Sequence, residues 1–369
     1  MSRSLKPLIV AGDELFEGFF EWLEEQYDET SGGFFYARSS KLSGDFTPDI
    51  ESTAQALNIV DRCGLTDAFD GRLKEAFVRF FQSRQDPETG YFYEPDPNMR
   101  LDDVMVGRAI GYSMHALRRF GAEPLYPLPN DRESAPSYTE SPRAYALWLR
   151  SVSLLNSWRG CDRLCNSAPY LSQMDSGKRE PFLKEAVSFF TEIQDPESGL
   201  WGKGTPYVRL SGTFKLHTFF TRFRVPMPRT SEIYRSILNI LHNEEAIDMC
   251  YIRNPISLLA SMNLEIPERD MKDIASITLA NMAKLKRNDG GFSREITHSP
   301  AATNVAQVKP GEYYPDMPAP VPLGKGEVEG DMNAGTQAVL IRHLLYKLSG
   351  VEPGKLPVPS RYFSKYRIV

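Results

Sequence analysis

Acid–base chemistry needs titratable groups whose surroundings set their pKa values apart. This chain carries such groups in four clusters. Asp45, Asp49 and Glu51 form the first. Asp102, Asp103 and Arg108 form the second, with Tyr112 and His115 one and two helical turns on. Arg209, Lys215 and His217 form the third, and His298, Tyr313, Tyr314, Glu327, Glu329 and Asp331 the fourth. Asp102, Asp103, Glu329, Asp331 and His217 are the candidates for catalysis. Asp49, Glu51, Arg108, Tyr112, Arg209, Lys215, Tyr313 and Tyr314 are the candidates for substrate binding. A plainer account of the acids stays open. An Asp at a helix N-cap satisfies orphan amides and stabilises a helix by about 0.5–2 kcal/mol, which suits Asp49 and Asp103. Glu51 and Asp331 equally suit a first turn, where the helix dipole favours acids.

The elements that position these groups follow from a repeat. Gln85-Asp86-Pro87-Glu88-Thr89-Gly90-Tyr91-Phe92 and Gln194-Asp195-Pro196-Glu197-Ser198-Gly199-Leu200-Trp201 share an acidic turn, a Gly and an aromatic. Asp28 to Phe35 and Asn288-Asp289-Gly290-Gly291-Phe292 keep the same pattern. The spacing gives a unit of roughly 50–58 residues, with degenerate copies expected near positions 140 and 243. Apolar residues three and four apart precede each turn: Leu15 to Leu23, Leu73 to Phe81, Phe182 to Ile193 and Ile274 to Leu285. That is the signature of a helix with one buried face. Helices richer in Ala, Gly, Ser and Thr follow the turns, at Ile50 to Cys63, Asp103 to Phe120, Ser211 to Phe223 and Asn333 to Leu348. Small residues allow close helix packing, which assigns this second set to an inner ring and the first to an outer one. The expected fold is all-α: an (α/α) toroid of about six helical hairpins over residues 13–350, in one domain spanning 1–369. Two irregular, proline-rich stretches, 124–142 and 293–329, read as long loops at one mouth. Trp148, Asn156 and Trp158 read as lying on one helix, with the two Trp on faces roughly 80° apart.

The Gln-Asp-Pro-Glu-x-Gly turns and the Asp289-Gly290-Gly291-Phe292 turn resemble the repeat turns of terpenoid cyclases and protein prenyltransferase β-subunits, which are α/α toroids. The hairpin count is also similar to that of six-hairpin glycosidases and of the toroid domains of polysaccharide lyases. The resemblance implies the fold and leaves the chemistry to the site. The prenyltransferase zinc ligands have no counterpart here. At Arg100-Leu101-Asp102-Asp103, Arg stands where the cyclase Asp-x-Asp-Asp acid motif has its first Asp.

Composition removes other classes. The chain has 369 residues and a formal net charge of −5, which argues against a nucleic-acid partner. Four cysteines make no disulfide framework and suit a reducing compartment. Cys161-x-x-x-Cys165 has no second pair nearby, and the five histidines are dispersed, so neither a metal site nor a cofactor is expected. No apolar run approaches the roughly 20 residues of a membrane span. No signal peptide is read, and the expected location is cytoplasmic. The expected function is a carbohydrate-active enzyme acting on a small-molecule or oligosaccharide substrate, as a glycoside hydrolase or a uronate lyase. The hydrolase needs two facing carboxyls. The lyase needs a base such as His217 or Tyr112, with Arg108 or Lys215 neutralising the substrate carboxylate. The alternatives are an isoprenoid-handling toroid, with Arg108, Lys215 and Arg209 holding a diphosphate, and a non-catalytic ligand-binding toroid. A dry aromatic cavity would favour isoprenoid, and a wet polar one sugar.

Overall fold

The computed structural model describes residues 5–129, 136–306, 315 and 317–358, and these are mostly helical with minimal sheet. In chain order the helices are α1 (Leu5–Ala11), α2 (Phe19–Glu25), α3 (Arg38–Ser43), α4 (Ile50–Arg62), α5 (Gly71–Gln82), α6 (Asp103–Arg119), α7 (Pro142–Ser151), α8 (Ser157–Cys165), α9 (Ala168–Gln173), α10 (Ser176–Ile193), α11 (Pro206–Phe223), α12 (Thr230–Asn243), α13 (Met249–Met262), α14 (Glu268–Leu285) and α15 (Met332–Ser349). A single short hairpin, β1 (Tyr27–Asp28) with β2 (Gly33–Phe34), pairs antiparallel with Tyr27 opposite Phe34. Among the described residues no helix is long and apolar enough to cross a membrane.

Six helices that pack together each start where the sequence supplies a side chain to close the first turn, as α5 with Asp70 and α7 with Ser141 also do. Asp49 accepts from Ser52 N at 2.7 Å for α4, and Asp102 from Val104 N at 3.2 Å for α6. Asn156 accepts from Arg159 N for α8, and Thr205, with Pro206 at the first helical position, from Val208 N for α11. Asp248 accepts from Cys250 N at 2.7 Å for α13, and Asp331 from Ala334 N at 2.8 Å for α15. Each cap satisfies an orphan amide that would otherwise be left unpaired in a buried place.

These six helices pack on one another: α4 on α6 and α15, α15 on α13, α13 on α11, and α11 on α8. Between α8 and α6 the link is polar, an ion pair from Arg159 to Asp102 at 2.9 Å. Several of the other helices bury a single face. α5, for example, buries Leu73, Ala76, Phe77, Phe80 and Phe81. By contrast α4 and α13 are buried on nearly every side through their first two turns.

Small residues set the closest approach between α8 and α11. A Cβ on Gly212 of α11 would overlap the Ser157 hydroxyl of α8 and come within 2.5 Å of the Ser157 carbonyl oxygen. Backbone cannot yield as a side-chain tip can, so Gly212→Ala is expected to cost about 1–3 kcal/mol. Urea unfolding measures this, and an unchanged midpoint would contradict the close contact.

The repeated turns have one geometry. In both Gln-Asp-Pro-Glu turns the Asp side chain accepts two backbone amides, those of Glu88 and Thr89 for Asp86 and of Glu197 and Ser198 for Asp195. The Gly amide donates to the Asp carbonyl, and the Gly takes positive φ (Gly90 76°, Gly199 69°), where a β-carbon would strain the backbone. The leading Gln then clasps the strap that follows: Gln85 Nε2 reaches Tyr126 O, and Gln194 Nε2 reaches Pro228 O. The motif is therefore architectural.

Three expectations about elements change. Gly18, at φ 72°, splits the helix expected over Leu15 to Leu23 into a 3-10 turn, Gly12–Phe16, and α2. The third small-residue helix starts at Pro206 rather than Ser211 because Thr205 caps it. Trp148 and Trp158 lie on separate helices, α7 and α8, with Asn156 capping the second. Helices α7 and α8, and α12 and α13, lie near positions 140 and 243, where degenerate copies were expected. Residues 293–329, where described, hold the 3-10 turn Thr303–Val305 and an isolated bridge from Glu295 to Asp248. That stretch is tied down by Tyr36 Oη donating to Pro300 O (3.0 Å) and Ser40 Oγ donating to Leu323 O (2.8 Å).

Candidate functional site

The six capped helices converge on one cavity of about 210 Å³. α4 contributes Gln55, Asn58 and Arg62; α6 Arg108 and Tyr112; α8 Trp158; and α11 Lys215. α13 contributes Cys250 and Arg253, and α15 contributes Asn333, Thr336, Gln337 and Leu340. Arg294 and Thr303 come from the irregular stretch before α15. The lining is polar and cationic. It holds five basic side chains, and no Asp or Glu among the described residues.

Carboxylates stand one layer behind. Glu51, 3% exposed, receives three cavity donors on a single oxygen: Arg108 NH2 at 2.8 Å, Gln55 Nε2 at 2.9 Å and Asn333 Nδ2 at 3.3 Å. Asp162 pairs with Lys215 at 3.0 Å, and Asp248 with Arg294 at 3.3 Å. These pairs offset the desolvation of buried cations and hold their side chains in place. Burial pulls the Lys215 ammonium below its ordinary pKa, with Asp162 opposing. Burial also works against the charge of Arg108, but Glu51 and Tyr112 outweigh it and hold the guanidinium above its usual value. Arg108 NH2 in turn donates to Tyr112 Oη at 3.3 Å. Lys215 Nζ sits 5.6 Å from the centre of the Trp158 ring.

Of the residues read as binding groups, Arg108, Tyr112 and Lys215 line this cavity, and Glu51 anchors its wall. Asp49 lies behind Glu51 as the α4 cap. Arg209 is elsewhere, holding the repeat turn through Asp195 Oδ2 (3.0 Å) and Gly202 O (3.1 Å). Tyr313 and Tyr314 lie outside the described residues.

The residues read as catalytic do not meet in the cavity. Asp102 caps α6, pairs with Arg159 and lies 3.4 Å from Asn304 Nδ2. Asp103, next in the chain, is exposed and borders a separate small pocket with Asn156 and Arg159. Asp331 accepts from Ala334 N, Arg294 N and Ser299 Oγ, which occupies both of its oxygens. Burial raises its pKa to about 6. Glu329 accepts from Ser39 N and Ser39 Oγ, closing the start of α3. His217, on α11, bonds through Nδ1 to the Phe214 carbonyl, and burial lowers its pKa. Asp102, Asp331 and Glu329 close helix starts, whereas Asp103, expected as a cap, is a first-turn residue of α6 behind the Asp102 cap, and His217 lies within α11.

Sequence reasoning passed over Gln55, Asn58, Arg62, Arg253, Arg294, Asn333, Thr336 and Gln337. A signal was present. Gln55, Asn58 and Arg62 recur at three and four residues along α4, as do Asn333, Thr336 and Gln337 along α15. A polar stripe on a helix that is otherwise buried must face a wet interior.

Behind the cavity, Glu94 accepts from both Ile50 N (2.7 Å) and Glu51 N (2.9 Å), beside the Asp49 cap. Burial raises the Asp49 pKa to about 7, with Glu51 adding to the effect and the Ser52 amide opposing it. The folded state thus keeps a proton that the unfolded chain, titrating at about 4, has released. This contribution to stability is full below about pH 4 and is lost as pH rises through about 7. Asp49→Asn keeps an acceptor for Ser52 N. It is expected to flatten the fall in Tm across that window, and an unaltered profile would assign the titration to another group.

No protein-family model matches the chain, and no curated protein matches it.

Proposed function

We propose that the six inner helices and their outer partners close into an α/α toroid of about six hairpins, and that its central cavity is the active site of a carbohydrate-active enzyme. The reaction that suits the lining is β-elimination on an acidic sugar. The observation that carries this is the lining itself: five basic side chains, amides from α4 and α15, Tyr112 and Trp158, with no carboxylate facing inward among the described residues.

That lining separates the readings. Hydrolysis of a glycosidic bond uses two carboxyls flanking the substrate, and the cavity offers none among the described residues. An isoprenoid chain needs a dry aromatic wall, and Trp158 and Tyr112 are the aromatic residues here. A uronate fits better. Arg108 neutralises its carboxylate and stabilises the charge that develops when the α-proton leaves. Tyr112 Oη, reacting as the phenolate beside that guanidinium, takes the C5 proton. The C4–O bond breaks as the C4–C5 double bond forms, and Tyr112 Oη hands the same proton on to the departing oxygen. Gln55 and Asn333 present amides to hydroxyls, and the Trp158 ring offers an apolar face to a sugar ring.

The test is incubation of the full chain with uronate oligosaccharides, followed by the ultraviolet absorbance of the conjugated double bond that elimination creates. Absorbance should rise with acidic and not with neutral oligosaccharides. New reducing ends without unsaturation would replace the reading by hydrolysis, and no turnover of any acidic oligosaccharide would remove it.

A further inference from the structure

The basic side chains of the cavity fall into two groups. Arg108, Lys215 and Arg294 each have a carboxylate partner, in Glu51, Asp162 and Asp248. Arg62 and Arg253 have none among the described residues. Arg62 NH1 donates to Thr336 Oγ1 at 3.3 Å, and Arg253 Nε to Gln337 Oε1 at 3.2 Å, so both guanidiniums dock on consecutive residues of α15 through neutral acceptors. The Arg253 guanidinium also stacks over the Phe214 ring at 4.1 Å, which fixes its plane. Asp61, next to Arg62 in the chain, is engaged with Arg119 at 3.5 Å. Arg62, the last residue of α4, is exposed, and Arg253 is half-buried, so burial acts against the charge on Arg253.

Two guanidiniums that line one cavity, anchored on consecutive residues of α15 and without a carboxylate ion-pair partner among the described residues, want two negative charges. A carboxylate or a sulfate ester supplies one. A phosphate monoester supplies nearly two near neutral pH, with three acceptor oxygens that match the planar donor forks. We propose that Arg62 and Arg253 form a subsite for a doubly charged phosphoryl group, carried as a monoester on the sugar that enters the cavity. This deepens the carbohydrate reading by naming a second anionic group on the ligand, apart from the carboxylate assigned to Arg108.

The experiment is calorimetric titration of the full chain at fixed ionic strength with inorganic phosphate, a hexose monophosphate, the parent hexose, sulfate and acetate. The monoester should bind roughly tenfold or more tighter than either the parent hexose or free phosphate. Acetate should bind weakly. Phosphate and its monoester should weaken from about pH 7.5 to about pH 5.5 as they take up a proton near pH 6, while sulfate should not follow. Arg253→Gln and Arg62→Gln should each lose roughly 10- to 100-fold in phosphoryl affinity, and Arg209→Gln, outside the cavity, should lose none. Without anion, Arg253→Gln should melt no lower than the parent protein, because a charge without a partner has been removed. Should that variant fold poorly, Arg253→Lys keeps the charge, loses the fork and should still weaken binding. Monoester binding no tighter than acetate, or undiminished in Arg62→Gln and Arg253→Gln, would overturn the proposal. Free phosphate binding as tightly as the ester would overturn its ester part. No turnover is read, so uronate elimination without phosphoryl binding would remove this inference alone, and phosphoryl binding without elimination would remove the reaction alone.

Discussion

Replacing Tyr112 by Phe is expected to lower kcat/KM on an acidic oligosaccharide by about 10²- to 10⁴-fold. The ring keeps its place on α6 and its contact with the Arg108 guanidinium, 5.8 Å from the ring centre. The group lost is the hydroxyl 3.3 Å from Arg108 NH2. One hydrogen bond on the wall of a wet cavity is worth about 0.5–1.5 kcal/mol, so Tm should barely move. Steady-state kinetics and a melt on the same preparation check both halves. A variant that keeps full activity would remove Tyr112 from the proton transfer. One that loses activity only by unfolding would make it a packing residue.

The second large effect is on stability. Glu51→Ala leaves Arg108 without its 2.8 Å partner and frees Gln55 and Asn333 from the same oxygen. Breaking a buried pair from one side costs about 3–5 kcal/mol because the remaining charge is uncompensated. The low end applies here, since Arg108 reaches cavity water. The double variant Glu51→Ala with Arg108→Ala should recover part of the loss, giving a coupling energy within about 0.5–3 kcal/mol in a denaturant-based cycle. Additive losses would show that the two residues act separately. Glu51 is therefore treated as a positioning residue. It holds the arginine and two amides at fixed angles while its own carboxylate stays behind the wall.

The helices and turns were largely legible in the sequence because their signals are local. Apolar residues three and four apart announce α5, α10 and α14. The Gln-Asp-Pro-Glu turns carry their own hydrogen-bonding plan, from the Asp side chain to the positive-φ Gly. What local pattern hides is which of two identical residue types faces the interior. Asp49, Asp102, Asp248 and Asp331 all sit at helix starts, and an acid there reads equally as a cap or as an acid catalyst. The folded chain uses all four as caps, and the inward-facing positions fall one to several turns further along the same helices. Arg253 illustrates the difficulty. It is a lone charge in an apolar helix, and only the convergence of α4, α13 and α15 gives it a neighbour in Arg62 and a place to act. Arg294 and Thr303 were hidden for another reason: they come from a stretch with no periodicity, where Arg294 is positioned by tertiary hydrogen bonds to Asp331 and Asp248 and donates to the Thr303 carbonyl.

The central claim is that the cavity ringed by α4, α6, α8, α11, α13 and α15 receives an acidic sugar. A crystal structure of the protein soaked with an unsaturated uronate disaccharide, the kind of product elimination would leave, tests it most directly. Sugar density between Trp158 and Tyr112, with the carboxylate on Arg108, is the predicted result. Well-ordered sugar bound only outside that cavity, with water alone between Arg108 and Arg253, would contradict it.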